Sequence, residues 1–477
     1  MRIIWPSFLG HQCKNRCGFT SSAIPTFSQS KLANGIRVAS LNSPGACIAG
    51  GLYVELRGNS HLPPPAGVTA SRYLLEKLSF KATQNLAEAK MHAKLDELVG
   101  SVQSHSMRES ILYAGTVVPS QLKELLDLLR EVSMAPLITA QDLKQISAIV
   151  EYDLEELKNK PDDLLPELAH GPAFYSPFAS SHDDTHFVDF NSILGVKHDL
   201  DTNIKSSACV MDYWRDNFAT KNMLVVGTGM PHGELHNAAV DSFGSIESNG
   251  EAAKPGADAL LKYSGGSKYI ENADIPLVHM LVGFEGVSVS NDHCFALAIL
   301  QMLMGGGNSF SAGGPGKGMY SRLYTQVLNR YHWIDSCKFF NHGYHSTGLF
   351  GIHGSALPSH ARDLAEVLLG QLHGMTVPLT NIELVRAKNQ VKSAVLMGLE
   401  SRMTELEDLA DQISHMGRYM SPSEICKRVD AVSAEELQSI SKSLLASKPT
   451  VIAYGPLHRT PPYDMMLKLH HSRMSAK

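Results

Sequence analysis

The chain has no surplus of positive charge: 42 Lys and Arg stand against 47 Asp and Glu, a formal net charge of −5. Gripping nucleic acid takes an excess of cations to neutralise phosphates, so no nucleic-acid partner is expected. There is no run of 18 or more uncharged apolar residues, which argues against a membrane-spanning helix. Cysteine is scarce, 7 residues in 477, odd in number and without a CxxC pair. Scattered as Cys13, Cys17, Cys47, Cys209, Cys294, Cys337 and Cys426, these fit reduced thiols better than a disulfide framework or a zinc finger.

One further absence is local. From Met1 to Val54 there is no Asp or Glu, while Arg2, Lys14, Arg16, Lys31 and Arg37 are present and serines gather around Ser21–Ser30. A basic, serine-bearing, acid-poor N-terminus is the composition of a mitochondrial transit peptide. Removal of residues 1–24 would take away three cations and no anion, moving the formal charge from −5 to −8 and leaving a mature chain suited to a basic ligand. Acidic runs such as Glu405–Asp408 and Glu151–Glu156 are candidate contributors to that field.

What is present, 43% hydrophobic and 19% charged residues, is enough for two cored domains. Gly35–Asn42, Cys47–Glu55 and Ile111–Val118 read as strands, and Val68–Phe80, Pro119–Val132 and Ala140–Leu157 as helices. The second half repeats this order. Pro276–Phe284 and Gly348–Ala356 are strand-like, Asp292–Met304 is helical, Pro358 opens a helix to about Leu372, and Asn381–Glu400 is helical. Each half closes on a short strand, Met223–Val226 and Val451–Tyr454. The shared order predicts an internal duplication. The fold class expected is α+β: two homologous domains, each a mixed or antiparallel sheet packed with helices, over 25–241 and 267–477, joined by an exposed linker over 242–266.

The compositional outlier is Gly305–Tyr324, GGGNSFSAGGPGKGMYSRLY, where seven of the fourteen residues from Gly305 to Gly318 are glycine. Such a run reads as neither helix nor strand, because glycine loses the most backbone freedom on ordering and offers no side chain to pack. It is not a phosphate loop: GxxxxGK[ST] would need glycine where Ser311 stands and a hydroxyl where Gly318 stands. Emerging from a packed helix, it reads as a mobile contact surface on a stiff anchor.

This segment, continued through Val327–Trp333, together with the duplication and the linker, resembles the non-catalytic alpha branch of the processing peptidases in the pitrilysin-type (insulinase-like) metallopeptidase family. The resemblance spans nearly the whole mature chain. It implies a substrate-binding role for Gly305, Gly306, Gly307, Asn308 and Ser309 and, beyond them, for Phe310, Ser311, Gly313, Gly314, Gly316, Lys317 and Gly318. Active members of the family hold zinc through HxxEH, two imidazoles on one helical face with a glutamate base beside them. Aligned on Phe80–Thr83, this chain has Tyr73-Leu74-Leu75-Glu76-Lys77, and the third ligand falls on Asp153. Both histidines are missing, and a lysine ammonium has no lone pair to offer a metal. Only the would-be base, Glu76, is retained, and it reads as a helix-surface carboxylate pairing with Lys77 or Arg72. No catalytic residue and no metal ligand is therefore expected in this chain.

Other histidines read as structural. In His232-Gly233-Glu234-Leu235-His236 the glutamate sits at the wrong spacing for a zinc motif, and His342, His345 and His353 have no carboxylate at ligand spacing. The resemblance thus implies a non-catalytic, presequence-recognising subunit in the mitochondrial matrix. Its partners would be a zinc-bearing catalytic beta subunit, forming a heterodimer, and the basic presequences of precursor proteins, with zinc expected in the partner only. The alternative is a structural core protein of the respiratory cytochrome bc1 complex, with inner-membrane association through that complex. An intact glycine-rich segment separates the two readings.

Overall fold

A computed structural model describes residues 25–56, 71–175, 207–248, 262–309 and 319–475. The leader, the first residues of the helix expected from Val68, and Phe310–Gly318 lie outside the described residues. In the first half the chain runs β1 (Thr26–Lys31), β2 (Arg37–Asn42), β3 (Ile48–Glu55), α1 (Ser71–Leu78), α2 (Glu88–Glu97), β4 (Gly100–Ser106), β5 (Ser110–Val117), α3 (Leu122–Met134), α4 (Ala140–Lys158), α5 (Pro161–Ala173), β6 (Phe174–Tyr175), α6 (Ser207–Asn217), β7 (Met223–Thr228) and α7 (His232–Phe243). The second half runs β8 (Lys262–Tyr263), β9 (Gly266–Glu271), β10 (Val278–Gly286), α8 (Cys294–Met304), β11 (Gly306–Asn308), β12 (Ile334–Gly343), β13 (Gly348–Ala356), α9 (Ala361–Gly374), α10 (Asn381–Gly398), α11 (Arg402–Met416), α12 (Pro422–Ala431), α13 (Ala434–Leu444), β14 (Thr450–Gly455) and α14 (Tyr463–Ser475).

The architecture is α+β, with two six-stranded mixed sheets ordered β1-β2-β7-β3-β5-β4 and β11-β12-β13-β10-β14-β9. Read from β2 and from β9, the two orders coincide over five strands, and the parallel pair is the same in each: β2 with β7, β9 with β14. The duplication reaches single residues. Pro119 and Pro358 each open a short 3-10 turn ahead of the next helix, where a missing N–H does no harm. Thr139 and Thr380 each close a capping box, with Asp142 and Glu383, at the start of α4 and α10.

Two elements depart from the sequence expectations outside the glycine-rich segment: an edge strand and the ends of the linker. The edge strand β1 was not foreseen, because TFSQSK is polar and only half-buried. Both ends of the expected linker over 242–266 are regular: α7 runs to Phe243, Ser242 and Phe243 are buried, and Gly266 begins β9. Residues 249–261 lie outside the described residues.

Each sheet buries one face against the helices of its own half and the other face against a helix from the opposite half. From the second half, α11 lays Leu406, Leu409, Ala410 and Ile413 on Leu41, Tyr53, Leu112, Ala114, Leu224 and Val226 of the first sheet. In return, α5 lays Leu164, Leu165, Leu168 and Ala169 on Leu281, Leu349, Ile452 and Tyr454 of the second. The two helices follow α4 and α10, the capping-box pair, so they are duplicates that have changed places. A fully buried leucine contributes about 1.5–3 kcal/mol, so either exchanged face outweighs the polar contacts around it.

Polar groups fix the register of this exchange. The Tyr53 hydroxyl donates to Asp411 at 3.0 Å, and Ser43 donates to Glu405 at 2.8 Å, with Arg402 on the same carboxylate at 2.6 Å. The Glu109 carboxylate accepts the His345 backbone N–H at 2.9 Å and faces the His415 ring at 3.3 Å. The acidic run Glu405–Asp408 is therefore not an open field for a cationic ligand. Glu405 is buried, and burial, with Asp411 and Glu405 nearby, pushes Asp408 up to about 6. Glu151, Glu155 and Glu156 on α4 are solvent-exposed as expected.

Leu409→Ala should cost about 2–5 kcal/mol, the range for a fully buried leucine. Because Leu409 belongs to one half and packs on the other, calorimetry should show one cooperative transition moving down. Two separated transitions would contradict an obligatory exchange.

Candidate functional site

The glycine-rich segment starts where α8 ends. CFALAILQMLM is apolar on nearly every side and is buried accordingly, so the helix is a fixed post. It stops at Gly305, whose φ of +55° suits glycine and where a Cβ would stand 2.5 Å from Ser321. Gly306 has φ of +103°, and a Cβ there would lie 2.1 Å from the Cys337 carbonyl oxygen. These two glycines let the chain run flush against β12, where Gly306, Gly307 and Asn308 pair with Lys338, Cys337 and Ser336. The Ser309 N–H donates to Asp335 O at 2.6 Å. The expectation that no part of the run is a strand fails at this foot, because its glycines serve close approach rather than mobility. The C-terminal end of the segment is also regular, since a π-helical turn begins at Tyr324.

The second foot is clamped beside the first. Ser321 Oγ accepts the Gly306 N–H at 3.2 Å. Arg322 is buried; its Nε donates to Glu383 at 3.0 Å and its Nη1 to the Gly374 carbonyl at 3.1 Å. Burial would raise Glu383, but Arg322 and the Thr380 capping box hold it down at about 2. Arg386 donates to Tyr320 O at 3.2 Å and lies over the Tyr320 ring. The structure thus brings Gly305, Gly306, Gly307, Asn308 and Ser309 together at a sheet edge, while Phe310, Ser311, Gly313, Gly314, Gly316, Lys317 and Gly318 lie outside the described residues. Sequence reasoning missed Ser321, Arg322 and Glu383 as anchors. The Thr380-x-x-Glu383 capping box was visible, but its second task, holding an arginine 61 residues earlier, was not.

The other position of interest is Tyr73, Lys77 and Asp153. One helical turn apart on α1, Tyr73 and Lys77 share a face, and both reach Asp153 on α4: the Tyr73 hydroxyl donates to Oδ2 at 2.5 Å and Lys77 Nζ stands 3.0 Å from the same oxygen. Lys77 Nζ also lies 4.9 Å from the centre of the Tyr73 ring. Burial and the hydrogen bond to Asp153 push the Tyr73 phenol up to about 12. Lys77 loses some solvation, but Tyr73 and Asp153 more than offset that and raise it to about 12, while the same contacts hold Asp153 below the usual carboxylate range. At neutral pH the cluster is a phenol, an ammonium and a carboxylate, internally neutral and closed. Glu76 pairs with neither Lys77 nor Arg72. Its carboxylate accepts the Ser106 N–H at 2.7 Å and the Ser106 hydroxyl, while Arg72 donates to the carbonyls of Met107 and Arg108. Both side chains bolt α1 to the β4–β5 hairpin.

Of the remaining histidines, His232 and His236 are half-buried rather than surface groups, and each hydrogen-bonds Ser30, at 2.9 and 2.8 Å. The expectation that His353 has no carboxylate partner is wrong. Asp162 Oδ1 stands 3.4 Å from His353 Nδ1, supplied by the exchanged helix α5 and so invisible to sequence spacing.

Two family profiles match the chain: "Insulinase (Peptidase family M16)" over residues 39–182 and "Peptidase M16 inactive domain" over residues 208–391. Among curated relatives, the probable mitochondrial-processing peptidase subunit alpha of Schizosaccharomyces pombe is 33% identical, over 89% of this chain and 85% of its own length. The mitochondrial-processing peptidase subunit alpha of Homo sapiens is 30% identical, over 91% and 82%. A chain of complex III2 from Candida albicans superposes with a TM-score of 0.73, covering 93% of this chain and 99% of its own, at 13% identity; that likeness is one of fold.

Glu383→Gln should destabilise the protein at neutral pH. A carboxyl held down at about 2 when folded, against 4.5 as its ordinary value, stabilises above the higher value and loses that contribution as pH falls toward the lower. The gap between wild type and variant in denaturant midpoint should therefore close between about pH 4.5 and about pH 2; a gap independent of pH would contradict the Arg322–Glu383 anchor.

Proposed function

Since the chain belongs to the M16 (insulinase) peptidase family, we propose that it is the non-catalytic, substrate-recognising subunit of a heterodimeric mitochondrial processing peptidase. In this reading it acts in the matrix, and a beta subunit supplies zinc and the base. The observation that carries it is the Tyr73–Lys77–Asp153 cluster, at the place where HxxEH members of the family hold their metal. A protonated Lys77 offers no lone pair and repels a dication, and Asp153 is already engaged twice. Glu76, the residue in register with the catalytic base, is committed to Ser106. What the chain contributes is binding. The relatives named as processing-peptidase alpha subunits support this, at about 30% identity over most of their length.

The recognition element proposed is Gly305–Gly318. Its two feet are held beside each other by Ser321 and by the pairing of β11 with β12, and Arg322 fixes the second foot to α10. A segment anchored at both feet can take up an extended cationic peptide without disturbing either core. The reading as a respiratory core protein rests on the shared fold with the complex III2 chain. No described helix is long and apolar enough to cross a membrane, so association with the inner membrane would come through partners.

Reconstitution tests the proposal. The chain alone should leave a basic presequence peptide uncut, and mixing it with a partner bearing an intact HxxEH should restore cleavage; an inactive pair would refute the recognition role. Excising residues 310–318 while keeping both feet should raise the Kd for the peptide at least roughly tenfold, about 1.4 kcal/mol, with the heterodimer still forming. An unchanged Kd would remove the loop from recognition.

A further inference from the structure

We infer that Asp162, His279 and His353 form a binding site for a first-row transition dication that staples the two halves of the chain together. The site is separate from the Tyr73–Lys77–Asp153 position and does not depend on the recognition role. Asp162 lies in the first turn of α5, the helix that the first half lends to the second; His279 is on β10 and His353 on β13, on the face of the second sheet that α5 covers. One ligand atom from each of the three lies within 4.8 Å of the other two.

The geometry and the donor set both fit. His353 Nδ1 and Asp162 Oδ1 are 3.4 Å apart. Two ligands at about 2.0–2.1 Å from a tetrahedral zinc stand about 3.3–3.4 Å from each other, so this pair is already at coordination spacing. The third ligand atom, from His279, lies within 4.8 Å of the other two. Two imidazoles and one carboxylate suit zinc, cobalt, nickel or copper rather than magnesium or calcium. His279 Nδ1 is buried without a hydrogen-bond partner, which leaves a ring nitrogen of this candidate ligand unsatisfied. The Asp162 side chain remains 40% exposed, which opens a path for an ion and leaves a position for water.

One residue opposes the ion. Lys338, directly across from His353 on β12, places its ammonium on Asp162 Oδ2. Its side chain is 38% exposed, so it can withdraw to solvent or stay on the second carboxylate oxygen as an outer partner. Ammonium and metal thus compete for one carboxylate, and in either state a cation ties α5 to the sheet it covers.

The test is calorimetric titration of Zn²⁺ into the full chain, with Co²⁺ as a spectroscopic probe. One equivalent should bind, with visible d–d bands for Co²⁺, and zinc should raise the Tm of the joint unfolding transition. His353→Gln and His279→Gln should each weaken binding at least roughly tenfold and abolish the rise in Tm, whereas Lys338→Met should tighten binding by about tenfold. Asp153→Asn should leave stoichiometry and affinity unchanged. Absence of binding to both wild type and Lys338→Met would overturn the inference. So would binding that survives both histidine substitutions, or that is lost in Asp153→Asn instead.

Discussion

Each sheet of this protein has two faces to bury and only one set of local helices to bury them, and the exchange of α5 and α11 resolves that shortage. The apolar stripe Leu406, Leu409, Ala410 and Ile413 covers Tyr53 and its neighbours, and Leu164, Leu165, Leu168 and Ala169 cover Leu281 and Tyr454. Neither half is complete without the helix the other supplies. The polar contacts at the seam, Tyr53 to Asp411 and Glu109 to the His345 backbone, are buried groups that must find each other and so select one relative placement. The two candidate sites are then positioned on a single two-sheet body: the clamped foot of the glycine segment at the β11 edge of one sheet, and the Tyr–Lys–Asp cluster beside the other.

In both places a cationic side chain is paired with a carboxylate of the same chain. A zinc site in an HxxEH helix would present neutral nitrogens to a cation. Here the helix presents a cation of its own, and Asp153 answers it with Tyr73 as an additional donor. The helix keeps its fold because the interaction within the cluster is self-contained, and Glu76 keeps its place because Ser106 holds it. In the second half, Arg322 plays a comparable part, tying the return of the glycine segment to the first turn of α10 through a carboxylate that already caps that helix. These contacts fix the two feet of the segment to one body.

Much of this was legible in the sequence where the signal is local. Gly348–Ala356 was placed to the residue, and Met223–Thr228, Ile48–Glu55 and Thr450–Gly455 to within one or two, because continuous apolar runs bounded by turn residues mark central strands. The duplication is readable from the shared order of elements in the two halves, and the positions of Tyr73, Lys77 and Asp153 from alignment with the family motif. What failed depends on contacts between segments distant in sequence. The run Glu405–Asp408 reads as a solvated acidic face unless one knows that a foreign sheet lies under it. His353 looks isolated until α5 delivers Asp162. Gly306–Asn308 reads as irregular because composition reports freedom, whereas the strand β12 beside it demands close approach.

The central claim is that the helix carrying Tyr73 and Lys77 holds no metal, so that the chain supplies binding and not bond cleavage. Anomalous diffraction at the zinc edge, from crystals of the chain with its zinc-bearing partner, addresses it directly. The account predicts no anomalous peak between Tyr73, Lys77 and Asp153, with Lys77 Nζ seated on Asp153, and a peak in the partner's HxxEH helix. A zinc peak within coordination distance of Asp153, with Lys77 displaced, would contradict it.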